Sequence, residues 1–212
     1  MTAILRHTAI SFMMLLLPVI GADVSPKGFT QMTSDESSSG SVQVIHYKKD
    51  TKAYDSESQI WVHSTKEEFK DQLLFTHYNR SSTLISDEGD YIAINHHELS
   101  GLGQLYIFMR NDKGGFEKVK LDFLATIKEQ VKKELSLGDN ALGFDHEYCY
   151  ADRWMRDGLL LGHLRGNLSG ETTLEEWYFI YDVRKNHFVS DLKMINKGTY
   201  SEKENGKWVP RK

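Results

Sequence analysis

The 212-residue sequence predicts a mainly β protein made of three repeated antiparallel β-meander units, with one amphipathic α-helix near residues 122–136. Three observations predict it. Short runs rich in β-branched and aromatic residues, bounded by Gly, Asp, Asn or Ser, fill the chain from Val42 onward. One segment breaks that rhythm with a helical period. The order turn, strand, loop, strand, turn, strand recurs three times.

The N-terminal 22 residues read as a leader. Arg6 precedes an apolar run from Ala9 to Ile20, and small residues follow at Gly21 and Ala22, the three-part layout of a secretory signal peptide. The run falls short of the roughly 20 residues needed to span a bilayer. The expected product is therefore an exported chain, periplasmic or extracellular, starting near Asp23 and soluble after cleavage, with no membrane span. No Cys directly follows the run to carry a lipid. Residues 23–40 have the composition of a polar lead-in, with SDESSSGS as a loop. Residues 41–212 form a single β-rich domain.

Within that domain VQVIHY (Val42 to Tyr47), QIWVHS (Gln59 to Ser64) and QLLFTHY (Gln72 to Tyr78) read as strands. So do YIAINH (Tyr91 to His96), QLYIFM (Gln104 to Met109) and FEKVKL (Phe116 to Leu121). LLLGHL (Leu159 to Leu164), EWYFIYDV (Glu176 to Val183) and HFVSDL (His187 to Leu192) complete the set. The segment DFLATIKEQVKKELSLG puts Phe123, Ile127, Val131 and Leu135 on one helical face with Leu124 beside them. Asp122 is its N-cap and Gly138 its stop. Lys128, Glu129, Lys132, Lys133 and Glu134 make a solvated face. At the C-terminus TYSEKENGKWV forms a hairpin through Asn205-Gly206.

The repeat emerges when QIWVHSTKEEFKDQL, QLYIFMRNDKGGFEKV and EWYFIYDVRKNHFVSDL are aligned. Each holds a polar residue, an apolar-aromatic strand, a polar turn, and then Phe69, Phe116 or Phe188 opening a return strand. Upstream lie VQVIHY, YIAINHH and LLLGHLRG, each preceded by an acid-containing turn: Ser34-Asp35-Glu36, Ser86 to Gly89, and Met155 to Gly158. If the copies are equivalent, the three Phe residues share one burial state. Trp61, Tyr106, Trp177, Tyr178, Phe179 and Tyr181 cluster on the equivalent middle strands, some facing in and some out.

The middle copy, SDEGDYIAIN followed by QLYIFMRNDKGG within residues 86–119, resembles the TolB-type, WD40-like β-propeller repeat. Blades of that family run S-P-D-G-K-x-I-A-F…x-I-Y…G-G. Asp87 stands where the motif has Pro, and Glu88 where it has Asp. The resemblance implies blade-like strand–turn logic and carries no functional residue. Closed propellers use four to eight blades, so three units imply a partial propeller-like array or a sandwich.

A formal charge of −4 and a pI near 6.1 argue against a nucleic-acid partner. Cys149 is the sole Cys, so no intrachain disulfide forms, and it reads as a buried thiol. There is no nucleophile elbow, phosphate loop or dinucleotide fingerprint. His46, His96, His97 and His163 fall at or near the ends of corresponding strands. If those ends converge, imidazoles could ligate Zn²⁺ or Cu²⁺; otherwise they cover strand edges. In FDHEYCYADRW an acid such as Asp145 beside His146 could orient an imidazole. Alternation sends His146 and Glu147 to opposite faces, and Asp152-Arg153 suits a turn before Trp154. These six residues are binding candidates; no catalytic residue or cofactor is assigned, and the metal question stays open. The reading is an exported, non-catalytic binding or interaction module for an unidentified protein or carbohydrate. The alternative is a small metal-dependent hydrolase using the strand-end histidines. Convergence of His46, His96 or His97, and His163 in one pocket with a carboxylate would favour the hydrolase.

Overall fold

The computed structural model describes residues 25–51, 56–66, 69–99, 101–135, 145–156, 158–167, 172–189, 196, 200–204 and 207–210. The first unit contains β1 (Phe29–Glu36), β2 (Val42–Lys49), β3 (Ser58–Ser64) and β4 (Gln72–His77). The second contains β5 (Ser81–Ile85), β6 (Tyr91–Leu99), β7 (Leu102–Arg110) and β8 (Phe116–Lys118). Helix α1 (Phe123–Leu135) leads to the third unit: β9 (Asp145–Arg156), β10 (Leu159–Asn167), β11 (Thr172–Asp182) and β12 (His187–Phe188). A hairpin, β13 (Tyr200–Glu204) with β14 (Lys207–Pro210), pairs with the start of β11.

Each unit is a four-stranded antiparallel meander in chain order. The first unit forms its own sheet. A short parallel pairing, Leu102 with Glu147 and Gly103 with Tyr148, joins the second and third into one larger sheet. Among the described residues no closed barrel or propeller forms, and no helix is long and apolar enough to cross a membrane.

The repeat reaches the side chains. On the third strand of each unit an aromatic donor bonds the polar side chain two residues earlier on the same face. Trp61 Nε1 donates to Gln59 Oε1 at 2.9 Å, and the Tyr106 hydroxyl donates to Gln104 Oε1 at 2.7 Å. In the third unit the Tyr178 hydroxyl donates to the Glu176 carboxylate. On the opposite face of these strands Ile60, Val62, Leu105, Ile107, Trp177 and Phe179 are buried, as period-2 alternation requires.

The first turns also match, but three residues along from the Ser34-Asp35-Glu36 of the acid-based alignment. Gly40 N donates to Ser37 O and Gly89 N to Ser86 O, so Ser37 to Gly40 corresponds to Ser86 to Gly89. Gly40, Gly89 and Gly158 all sit at positive φ in the turn before the second strand. Ser34-Asp35-Glu36 belongs instead to β1, within the stretch that composition marks as lead-in. Strand β1 forms there despite its polar sequence because β2 pairs with it from Phe29 to Glu36, with one register shift at Met32.

The three return-strand phenylalanines are not equivalent. Phe116 is buried and pairs with Arg110, whereas half-buried Phe188 pairs with Tyr181, one position earlier on its partner strand. Half-buried Phe69 precedes β4 altogether and packs edge-on against Phe116, with centroids 5.6 Å apart. Turn length sets these registers, and the three turns differ. The return strands β8 and β12 are correspondingly shorter than the apolar runs suggest. Strand β5 is an addition to the sequence reading, and β9 runs through Asp152-Arg153 without a turn. There Gly162 faces Ala151 while Leu161 faces Arg153, so a bulge absorbs the exposed Asp152 and Arg153 stays in register.

Alternation gives the middle unit two buried faces. Ile92, Ile94 and Phe108 meet Val42, Val44, Ile60 and Val62 of the first unit. Ala93, Leu105 and Ile107 face the other way, into a core with Cys149, Ala151, Leu160, Trp177 and the helix. Phe123, Ile127 and Val131 of α1 are buried in that core. Asp122 caps the helix, its Oδ1 accepting from Ala125 N at 3.0 Å, and Lys132 and Lys133 oppose the dipole at the other end. Lys128 departs from the solvated face, reaching Glu147 at 2.7 Å to tie the helix to β9. Gly138 and the Asn205-Gly206 turn lie outside the described residues.

Carboxamides lock these layers by imitating a peptide group. Gln72 exchanges two hydrogen bonds with the Phe116 backbone, 2.7 and 2.8 Å, tying the first unit to the second. Asn95 does the same with Ala151, 2.9 and 2.7 Å, tying the second to the third. Asn196 pairs with Tyr178, 2.6 and 2.7 Å, on a stretch of β11 that neither β12 nor β13 reaches. Each supplies a donor and an acceptor to strand groups that would otherwise be unpaired.

Candidate functional site

The stacking leaves a cleft of about 580 Å³ to which all three units contribute. Thr33, His46 and His77 come from the first unit, Ser81, Asn95 and His97 from the second, and Tyr150 from the third. The volume falls in the range typical of small-molecule sites.

His46 and His97, both candidates by sequence, share this cleft. His46 Nε2 lies 3.0 Å from Thr83 Oγ1, whose hydroxyl donates onward to Asp35 Oδ2 at 2.9 Å. Thr83 therefore accepts from His46 Nε2–H, and Nδ1 of His46 holds the lone pair. His97 Nδ1 is hydrogen-bonded to the Tyr150 hydroxyl, and its ring stacks on Tyr148 at 5.3 Å. Tyr150 can lie there because residue 103 is Gly: a Cβ would overlap the phenol.

His96 is next to His97 in sequence but on the other face of β6, as alternation demands. It is buried behind the cleft against Phe75 and His77, with its Nδ1 2.8 Å from Ser81 Oγ. His163 does not line the cleft: it lies one strand beyond Tyr150, on the same face of the sheet, between Tyr150 and Tyr178. Its Nδ1 donates to Asp152 Oδ1 at 2.9 Å. His146 is exposed at the start of β9, in a left-handed conformation (φ 62°) beside Gly101, well away from the cleft lining. The side chain of Asp145 lies outside the described residues. The expected convergence is thus partial: His46 and His97 meet, His96 backs them, and His163 and His146 do not join. Among the described residues no group of three or more His, Cys, Asp or Glu side chains could hold a metal ion.

The residue that sequence reasoning missed is His77. It is 7% exposed, lines the cleft, and lies 5.7 Å from His96 between ring centroids. Its Nδ1 is 2.6 Å from the Asn79 carbonyl, so Nδ1 carries the proton and Nε2 is a lone-pair acceptor. That Nε2 is buried without a partner. The available signal was its place at a strand end, like the histidines that were singled out.

Burial pushes His77 down to about 4, with His96 and His46 adding repulsion and the Asn79 bond partly opposing them. Burial likewise lowers His46 against the pull of Asp35, and His96 against that of Glu98. The imidazoles of His77, His46 and His96 are therefore neutral at neutral pH. Cys149 is fully buried and its thiol is driven far up, so it is no nucleophile.

The sign of the His77 effect follows. An unfolded His titrates near 6.5, and the folded one resists protonation until about 4. The native state loses no stability to this group above pH 6.5. Between pH 6.5 and 4 the unfolded chain binds the proton and the folded chain does not, so stability falls by roughly 2–3 kcal/mol. Urea denaturation at pH 7 and pH 4.5 should show this loss in the wild type and a smaller one in His77→Gln. Equal losses in both would refute it.

A second groove, about 810 Å³, lies between β8 and the start of α1. Lys118 Nζ sits 3.9 Å over the Tyr106 ring there, and the Tyr106 hydroxyl is already engaged by Gln104 and Glu98. It is larger than the cleft, but it draws on one unit and the helix alone.

No protein-family model matches the chain, and no curated protein matches it. Among solved structures it is similar to one from a structural and mechanistic analysis of two prolyl endopeptidases that concerns inter-domain dynamics in catalysis and specificity. The identity is 8% and the TM-score 0.34 over 78% of this chain, which spans only 35% of that one.

Proposed function

We propose that the chain is an exported, non-catalytic binding module whose ligand occupies the three-unit cleft, with blade-like meanders as its frame. One observation carries this reading. The cleft wall presents hydrogen-bonding side chains from all three units among apolar surface, and includes no Asp, Glu or Cys. No carboxylate therefore bonds a cleft histidine from within the wall to orient it as a base, and no thiol stands there to be activated, so neither a His–carboxylate nor a Cys–His pairing is built into the wall. Among the described residues the His–carboxylate pairs, His63–Asp71 and His163–Asp152, both at 2.9 Å, lie outside the wall. Export rests on the leader-like residues 1–22, which lie outside the described residues.

Two measurements test this. Intact mass of protein recovered from the secreted fraction should place the N-terminus near Asp23; recovery starting at Met1 would sink the export half. A small-molecule and glycan screen by thermal shift should yield ligands that raise Tm of the wild type. They should fail with Ser82→Trp, which fills the cleft from an exposed wall position. Stabilisation that survives Ser82→Trp places the ligand elsewhere. Turnover abolished by Ser82→Trp would make the protein an enzyme.

A further inference from the structure

We propose that the cleft takes a hydroxylated anion of sugar size, its negative group held by Lys48 and Arg80 and a hydroxyl by His77; this rests on the cleft being the binding site. Lys48 at the end of β2 and Arg80 just before β5 bring two cations to the lining from different units. Neither is engaged in an ion pair among the described residues, and no carboxylate lines the wall to neutralise them. The nearest acid along the hydrogen bonds, Asp35, is occupied by Thr83. In a chain with 30 acidic against 26 basic side chains, this concavity is locally positive. Such a site concentrates anions, and a guanidinium suits the planar fork of a carboxylate or phosphate.

The second half of the ligand is set by His77. Its Nδ1–H is committed to the Asn79 carbonyl, so the orphaned Nε2 accepts and cannot donate. An anion alone offers it nothing. Nε2 is itself covered, so its cover must shift to admit a ligand hydroxyl as the missing donor; Ser81 and Ser82 on the same wall offer hydroxyls for further bonds. Acidic sugars and sugar phosphates share this chemistry, and the volume of about 580 Å³ suits one or two rings.

The test is titration calorimetry of the mature protein with D-glucuronate, D-glucose 6-phosphate, D-glucose and acetate. One of the first two is expected to bind at least about tenfold more tightly than glucose or acetate, and which one does separates a carboxylate from a phosphate source. Arg80→Gln and Lys48→Gln should each weaken that binding about tenfold with Tm unchanged, since both side chains are exposed. His77→Phe, which removes the acceptor, should weaken the hydroxylated anion and leave acetate unaffected. Glucose binding as well as glucuronate, no binding of either anion, or full affinity in Arg80→Gln overturns the inference. If the anions fail while another ligand is lost with Ser82→Trp, the cleft remains the site and only the ligand class is wrong. If ligands persist in Ser82→Trp, the binding site itself is wrong.

Discussion

Ile127→Asp is expected to destabilise the protein by at least about 3–5 kcal/mol, enough to prevent recovery of folded chain if its total stability is ordinary. Ile127 is 0% exposed, in one core with Val131, Leu105, Ile107, Cys149 and Trp177. A carboxylate there has no buried cation to meet. Lys128 is the adjacent residue but turns away to Glu147. The comparison is Ala125→Asp, two residues earlier on the exposed face and in the first helical turn, where a carboxylate favours the helix dipole. That variant should stay within about 0.5 kcal/mol of wild type. Chemical denaturation of both decides the matter. Similar, small effects would mean that α1 contributes little to the fold and that its apolar stripe is not a structural element of the core.

Gly162→Ala should be nearly as damaging, although it adds one methyl group. Gly162 sits in β10, with β9 on one side and β11 on the other. A Cβ there would lie 2.5 Å from Phe179 Cζ and 2.6 Å from the Tyr150 carbonyl oxygen. The ring could turn, but the carbonyl belongs to the strand ladder and can move only by stretching it. Phe179 is itself 0% exposed, so its rotation displaces further core atoms. The expected loss is roughly 3 kcal/mol, at the upper end for overpacking, and reads out as a fall in Tm of several degrees. An unchanged Tm would show that β9 and β10 are not as closely apposed as this geometry requires.

Those two sites differ in how far the sequence exposed them. The stripe containing Ile127 is legible, because a period of 3.6 is a local property of neighbouring residues. Gly162 inside LLLGHL only interrupts a strand run; that a ring and a carbonyl press on it depends on β9 and β11. The same division runs through the candidate site. His46 and His97 drew notice for their places at strand ends, and they do share a wall. His163 had the same credential, but the β9–β10 pairing places it one strand past Tyr150, beside Asp152 and off the cleft wall. The Asn95 clamp on Ala151 had no sequence signal at all.

Alone, the sequence determined the β class, the three-unit order, the turn glycines Gly89 and Gly158, the helix and its buried stripe. Each is written in residues close together in the chain, where steric preference and hydrophobic period act. Tertiary structure decided that the middle meander is buried on both faces, and therefore which histidine of the His96–His97 pair reaches the cleft. It also decided the cleft itself, whose bonds join residues far apart: His46 to Thr83 across 37 positions, His97 to Tyr150 across 53. Which strands stack against which is settled by burying the most apolar area with every backbone group paired. That is a property of the whole chain, and no short stretch records it.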